Sequence, residues 1–243
     1  MTTQGTSPWG RRWAPPCLLI ADGTLEALKW LGLVLMTIDY VNKYLFNGTC
    51  LAAFSAGRLA LPIFALLLAY NLARSDSLAR GVYGRTAGRL LAFGVLATPA
   101  FIALGGLVAG VYPLNILFTL LVATVVIHLL DCDQPAVAVT AFGIGGALVE
   151  FWWPAIGLCV MVWLYARRPS WTCLALGIVC CASLQVINGD AWALAAIPVF
   201  LIAMRWKLTM RRRRWVFHAY YPLHLMAIWL IRIPMAKAGY LFF

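Results

Sequence analysis

The sequence predicts an all-α fold: a polytopic membrane helix bundle of about nine spans, with its N-terminus in the cytoplasm. Three observations point there. The 243 residues are 63% hydrophobic and only 11% charged, against about 25% charged in a soluble domain. The apolar residues gather in long runs, and a chain in lipid must satisfy its backbone within helices, because hydrocarbon offers an open sheet edge no partner. Fourteen of the nineteen Lys and Arg residues fall in alternate gaps between those runs, the excess that marks cytoplasmic loops. The net charge of +11 is thereby accounted for by loops facing anionic headgroups. No stretch interleaves basic and aromatic residues on a soluble surface, so no nucleic-acid partner is expected, and membrane lipid is.

Residues 1–24 read as a cytoplasmic tail, polar and Pro-rich, with Arg11 and Arg12. The apolar piece at 17–21 is shorter than the ~7–15 residues of a secretory signal core. Residues 25–235 form a single bundle and 236–243 a short C-terminal tail. The first span, 25–46, carries Lys29, Asp39, Tyr40, Asn42 and Lys43. The second, 59–73, opens behind Arg58. A basic loop with Arg74, Arg80, Arg85 and Arg89 leads to the third, 90–109. The fourth is 114–130. The fifth and sixth, 136–149 and 154–166, are short of the ~20 residues a full crossing takes, and the charge pattern requires only that both cross or neither does. Arg167 and Arg168 precede the seventh, 171–187; the eighth is 192–204. A gap holding Arg205, Lys207 and Arg211 to Arg214 leads to the last, 216–234. The seven cysteines show no metal-ligand spacing with a histidine, so no metal site is expected.

Ionisable groups inside apolar spans are costly, at least ~2.5–3.5 kcal/mol each on insertion scales, and so point to a site. Of the acidic residues, Asp39 is the one read as lying inside an apolar run. Its simplest partner is Lys43, at i,i+4 on the same face. Lys29 and Tyr40, eleven residues apart, point within about 20° of each other, so one stripe follows the helix for ~16 Å. Arg58 sits within reach of the outer half of that helix. In the last span His224 lies eight residues in, ~12 Å along the helix, where a neutral imidazole needs partners for both nitrogens.

Four blocks carry a family resemblance. They are Leu28-Lys29-Trp30 through Asp39-Tyr40-Val41-Asn42; Gly57-Arg58-Leu59-Ala60-Leu61-Pro62-Ile63-Phe64-Ala65 with Asn71-Leu72-Ala73-Arg74; Asn115-Ile116-Leu117-Phe118; and Tyr220-Tyr221-Pro222-Leu223-His224-Leu225. Together they resemble the TraX family of conjugative-plasmid membrane proteins, which includes pilin N-acetylases and is in turn similar to acyltransferase-3 enzymes. In those enzymes the first helix carries a basic residue, ten intervening residues and a histidine. Here the pattern reads Lys29, ten residues, Tyr40.

The resemblance implies a multi-pass protein of the bacterial inner membrane that transfers acetyl from cytoplasmic acetyl-CoA to the N-terminal amine of a conjugative pilin subunit. If that activity is present, His224 is expected as general base, with Tyr40 and Arg58 as hydrogen-bond donors and Asp39 holding the constellation, provided the first, second and last spans meet. Lys29, Arg74, Arg85 and Arg89 would bind the coenzyme A phosphates. Two alternatives stay open. With tyrosine in the histidine position, the chain could be an altered relative that handles pilin or assists other mating-pair formation proteins. A small-solute transporter would also use buried charge, but no internal repeat of the transporter kind is present.

Overall fold

The computed structural model describes residues 15–105, 112–211, 213 and 215–242. Arg11, Arg12, Arg212, Arg214 and the end of the predicted third span lie outside the described residues. The helices run in order α1 (Asp22–Leu45), α2 (Leu51–Gly57), α3 (Ala60–Leu72), α4 (Val82–Ala103), α5 (Ile116–Asp131), α6 (Pro135–Leu148), α7 (Trp152–Arg167), α8 (Trp171–Ser183), α9 (Gln185–Asn188), a 3-10 turn (Trp192–Ala195), α10 (Ala196–Arg205) and α11 (Val216–Lys237). The all-α expectation holds among the described residues. Outside the helices, an isolated bridge pairs Leu114 with Val149.

Local chemistry sets the helix ends. Asp22 in the first turn and Lys43 in the last turn of α1 complement its macrodipole. Asn115 caps α5 by accepting the Leu117 N–H, and Ser170 caps α8 by accepting that of Cys173, each satisfying a donor the helix cannot. Pro135 opens α6, where its missing N–H is no loss. Pro62 interrupts the second span, because a proline ring clashes with the carbonyl four residues back, here Arg58, where α2 gives way to α3.

Two predicted boundaries move. The second span begins at Leu51 rather than 59, so Arg58 lies within it; Leu51–Leu72 is one of three helical stretches long and apolar enough to cross a membrane, with Val82–Ala103 and Trp171–Asn188. The third span begins at Val82, because Val82-Tyr83 starts a helix that carries its arginines inside its first two turns. Arg85 and Arg89 are therefore fixed on α4.

The connections gather at two ends. At the arginine-rich end Arg74 pairs with Asp22 and Arg167 with Asp131, while Thr24 Oγ1 donates to the Trp206 carbonyl at 2.7 Å. At the opposite end lie the Leu114–Val149 bridge and the Arg232 bond to the Leu104 carbonyl at 3.0 Å. Helices α6 and α7 each run from one end to the other. At 14 and 16 residues, they are about 21–24 Å long.

Helix α7 packs against α3, α5, α6 and α8 and forms the centre of the core, with Ile156 and Ala155 almost fully buried. Large apolar side chains point outward elsewhere, among them Val139, Ile144, Val179 and Leu201. A soluble surface rarely carries such continuous apolar cover. Together with the three long apolar helices, this is the exterior of a membrane protein.

Helices α1 and α2 approach closely: a Cβ on Gly57 would sit 2.3 Å from Asp39 Cβ. Gly57→Ala is expected to cost about 1–3 kcal/mol through overpacking. Gly177→Ala, whose added Cβ meets nothing nearer than 3.6 Å, is expected to be neutral or slightly stabilising. Thermal unfolding of the purified protein in detergent separates the two.

Candidate functional site

The face of α1 bearing Lys29, Leu33 and Met36 forms one wall of a cavity of about 440 Å³. The turn after α3 adds Arg74 and Arg80, α4 adds Arg85 and Arg89, α5 adds Ile116 and Leu120, and α11 adds Phe217, His218 and Tyr221. The mouth is thus cationic and the throat apolar. All four residues expected to bind the cofactor, Lys29, Arg74, Arg85 and Arg89, line it. Their fixation differs. Lys29 donates to Glu26 at 3.1 Å and lies 5.1 Å from the Phe217 ring centroid. Arg74 pairs with Asp22, and the Arg89 guanidinium lies 4.9 Å from the Trp215 ring centroid.

Met36 and Ile116 close the inner end of this cavity and also line a second one, of about 30 Å³, on the far side. Asp39, Tyr40, Arg58, Phe151 and Asn188 are among the other residues of that smaller chamber. The Lys29–Tyr40 stripe is real: Lys29 stands at the basic mouth and Tyr40 beyond the floor. Asp39 and Tyr40 are neighbours in sequence and so turn about 100° apart, one toward α2 and α3, the other toward α11.

Asp39 does not pair with Lys43. Its Oδ2 accepts from Arg58 Nη2 at 2.6 Å, and Lys43 lies over the Tyr44 ring instead, 5.1 Å from its centroid. The Pro62 interruption brings Arg58 to face α1, and a guanidinium offers donors in several directions. Arg58 uses three: Nη2 to Asp39, Nη1 to Asn188 Oδ1 at 3.2 Å, and Nε to the Phe54 carbonyl at 3.3 Å. This arginine is committed to holding helices together. Asp39 Oδ1 remains buried without a hydrogen-bond partner.

His224 is buried and lines neither cavity. Its ring stacks between Tyr40, with centroids 5.2 Å apart, and Tyr220, at 5.3 Å. Nδ1 lies 3.0 Å from the Tyr220 carbonyl oxygen. A carbonyl can only accept, so Nδ1 carries the proton and Nε2 is left as a lone-pair acceptor. Nε2 is buried and has no hydrogen-bond partner. The imidazole is in the tautomer that a general base requires.

The four residues expected to form the catalytic group do come together: α1 packs on α2, α3 and α11. They stand beyond the floor, however, rather than in the same open space as the arginines. Tyr221 connects the two regions. It lines the large cavity, its ring centroid is 6.3 Å from that of Tyr40 and 5.4 Å from that of His224, and its hydroxyl is buried without a partner. The Tyr221-Pro222-Leu223-His224 block drew attention to the histidine; the i,i+3 spacing that puts the tyrosine on the same face was the available signal.

Two further acids were missed in the sequence, Glu26, which is buried, and Glu150, which is half-buried. Glu26 is 1% exposed and accepts from Lys29 and from the Arg213 backbone N–H at 2.8 Å. Glu150, in the turn between α6 and α7, has an inaccessible Oε2 without a hydrogen-bond partner. Burial pushes its carboxyl up to about 7, while Lys43 and Arg58 pull it down. A signal existed: an acid wedged between apolar residues in a three-residue turn has little water to reach.

Fold and site together define a membrane helical bundle with a cation-mouthed interior cavity and a buried polar cluster behind it. A family model described as TraX protein matches residues 24–232, and the chain belongs to that family. Protein TraX of Escherichia coli is 26% identical over 201 residues, 79% of this chain and 78% of that relative. No solved structure matches. The resemblance read from the four sequence blocks is borne out.

Removing one member of a buried ion pair strands the other charge. Arg58→Leu is expected to destabilise the protein by about 3–5 kcal/mol, and Asp39→Asn added to it to restore much of the loss. A double-mutant cycle on unfolding free energies measures this.

Proposed function

We propose that this chain is an inner-membrane N-acetyltransferase of a conjugation system, which moves acetyl from cytoplasmic acetyl-CoA to the N-terminal amine of a pilin subunit. Nine crossings with the N-terminus in the cytoplasm accompany this reading: the alternate gaps of the sequence gather at alternate ends of the bundle, and the arginine-rich end is the cytoplasmic one. Short α6 and α7 are included, since each runs the whole distance between the ends.

The observation that carries the proposal is the large cavity. Five cations, Lys29, Arg74, Arg80, Arg85 and Arg89, line its mouth, a donor set that suits a polyphosphate. Behind them the apolar throat of Leu33, Met36 and Leu120 suits an uncharged pantetheine arm, and it leads to Tyr221. The donor set and the cavity shape fit coenzyme A.

The α-ammonium, with a pKa of about 7.7–8, must lose a proton before its nitrogen can attack the thioester carbonyl. His224 Nε2 is the proton's final acceptor, reached through the Tyr221 hydroxyl, since Tyr221 lines the cavity and packs against the imidazole. The C–N bond forms, and negative charge develops on the carbonyl oxygen, which in this scheme is met by hydroxyl donors of the Tyr221–Tyr40 cluster. The C–S bond then breaks, and the second ammonium proton goes to the departing thiolate. One proton is released overall. Tyr40 is unsuited to act as the base, since an ordinary tyrosine titrates near pH ~10.

A second reading is favoured by one observation. Tyr40 occupies the family's histidine position and is packed among Tyr44, Tyr221 and His224. Under that reading the chain keeps the bundle and handles pilin without acetylating it.

Acetyl-CoA is expected to raise the thermal midpoint of the purified protein, and Arg85→Ala with Arg89→Ala to weaken that effect about tenfold or more. Mass spectrometry of mature pilin made with and without this protein then decides between the readings: one added acetyl group at the N-terminus supports the enzyme, and no change the handling factor. His224→Ala is expected to abolish acetylation, and Tyr40→His to preserve or raise it.

A further inference from the structure

The chain that leaves α10 is laid along the start of α1 by backbone contacts. Thr24 Oγ1 donates to the Trp206 carbonyl at 2.7 Å and accepts the Leu208 N–H at 3.1 Å. A Cβ on Gly23 would meet the Leu208 oxygen at 2.0 Å and the Met210 nitrogen at 2.7 Å. The carbonyl of one residue and the N–H two residues further on share an edge in an extended chain, so residues 206–210 run extended with one edge against α1. Side chains then alternate between two faces. Trp206, Leu208 and Met210 fall on one face, 62%, 41% and 45% exposed. Lys207 and Arg211 fall on the other, both exposed. Arg205 and Arg213, also exposed, flank the stretch, and Glu26 Oε1 fixes the far end by accepting the Arg213 N–H at 2.8 Å. Among the described residues, none of these four cations is in an ion pair.

We propose that this extended stretch is a docking surface for anionic phospholipid, its apolar row entering the acyl boundary and its cations meeting headgroup phosphates. The stretch continues from α10, whose Leu201 and Ile202 are more than half exposed, and so begins where the apolar exterior ends. Tryptophan suits such a boundary, because its ring is amphipathic. Cations and apolar groups alternate residue by residue, which fits a surface that offers phosphate and hydrocarbon side by side. A soluble polyanion would leave the apolar row in water. Gly23, Thr24 and Glu26 hold the backbone in place beforehand, so little order has to be gained on binding. Orientation of the chain asks only for positive charge on one side, whereas this arrangement selects the kind of lipid. The inference is independent of acetyl transfer.

The test places the full chain in micelles of a neutral detergent doped with phosphatidylglycerol, which is anionic, or with phosphatidylcholine of the same acyl chains, which carries no net charge. Phosphatidylglycerol is expected to raise the thermal midpoint above its value in phosphatidylcholine, and added salt to shrink the difference. Lys207→Gln with Arg211→Gln is expected to weaken the apparent lipid affinity about tenfold or more, and Trp206→Ser with Leu208→Ser to weaken it as well. Lys207→Gln alone gives an intermediate loss and a second variant should either pair not fold. Arg85→Ala with Arg89→Ala, at the cavity mouth, is expected to leave the lipid effect in place. Equal midpoints in the two lipids, or an undiminished effect in the folded Lys207 variants, overturns the surface. Loss of the effect in Arg85→Ala with Arg89→Ala puts the lipid in the cavity and overturns it too. So does equal stabilisation by a soluble polyglutamate peptide, the mark of an acidic protein partner.

Discussion

The Asp39–Arg58 ion pair, at 2.6 Å with both side chains nearly out of water, sets the arrangement of everything around it. Neither charge is tolerable alone in an apolar interior. The pair requires α1 and the second span to approach until Gly57 meets the Asp39 side chain, and it draws Asn188 against Arg58 from the other side. Tyr40 is held in turn, one residue along α1, facing α11. The position of His224 is thus fixed through Tyr40 by a salt bridge it does not touch.

The basic residues serve two purposes at once. Arg74, Arg80, Arg85 and Arg89 belong to the charge asymmetry that orients a membrane chain, and the same four side chains line the mouth of the large cavity. A sequence pattern that looks like topology alone therefore also marks the wall of a pocket. The helical start at Val82 makes this possible, because it holds Arg85 and Arg89 a turn apart on one face of α4 instead of leaving them in a loop.

Most of the architecture was legible in the sequence, because long apolar runs and alternating charge report directly on lipid contact. The Lys29–Tyr40 stripe was legible too, since a helix fixes the direction of residues eleven apart. What failed was partner choice. Lys43 is near Asp39 along the helix, but Arg58 reaches it through tertiary packing that spacing within a single element does not encode. The role of Tyr221 was hidden behind the more conspicuous His224. Glu150 was passed over because a turn residue is ordinarily solvated, and only the fold of α6 onto α7 shows that this one turns inward.

The floor formed by Met36 and Ile116 carries a further meaning. A membrane bundle with a cavity on either side of one floor risks becoming a leak, since any continuous polar path would let ions run down the potential. Here the barrier is one thioether and one branched alkyl chain, neither with a charged or strongly hydrogen-bonding group that could replace an ion's hydration shell. Methionine's unbranched chain yields to an arriving substituent more readily than a stiffer side chain does. On the proposed reading, electrical insulation and passage for a small acyl fragment would thus fall to the same two residues.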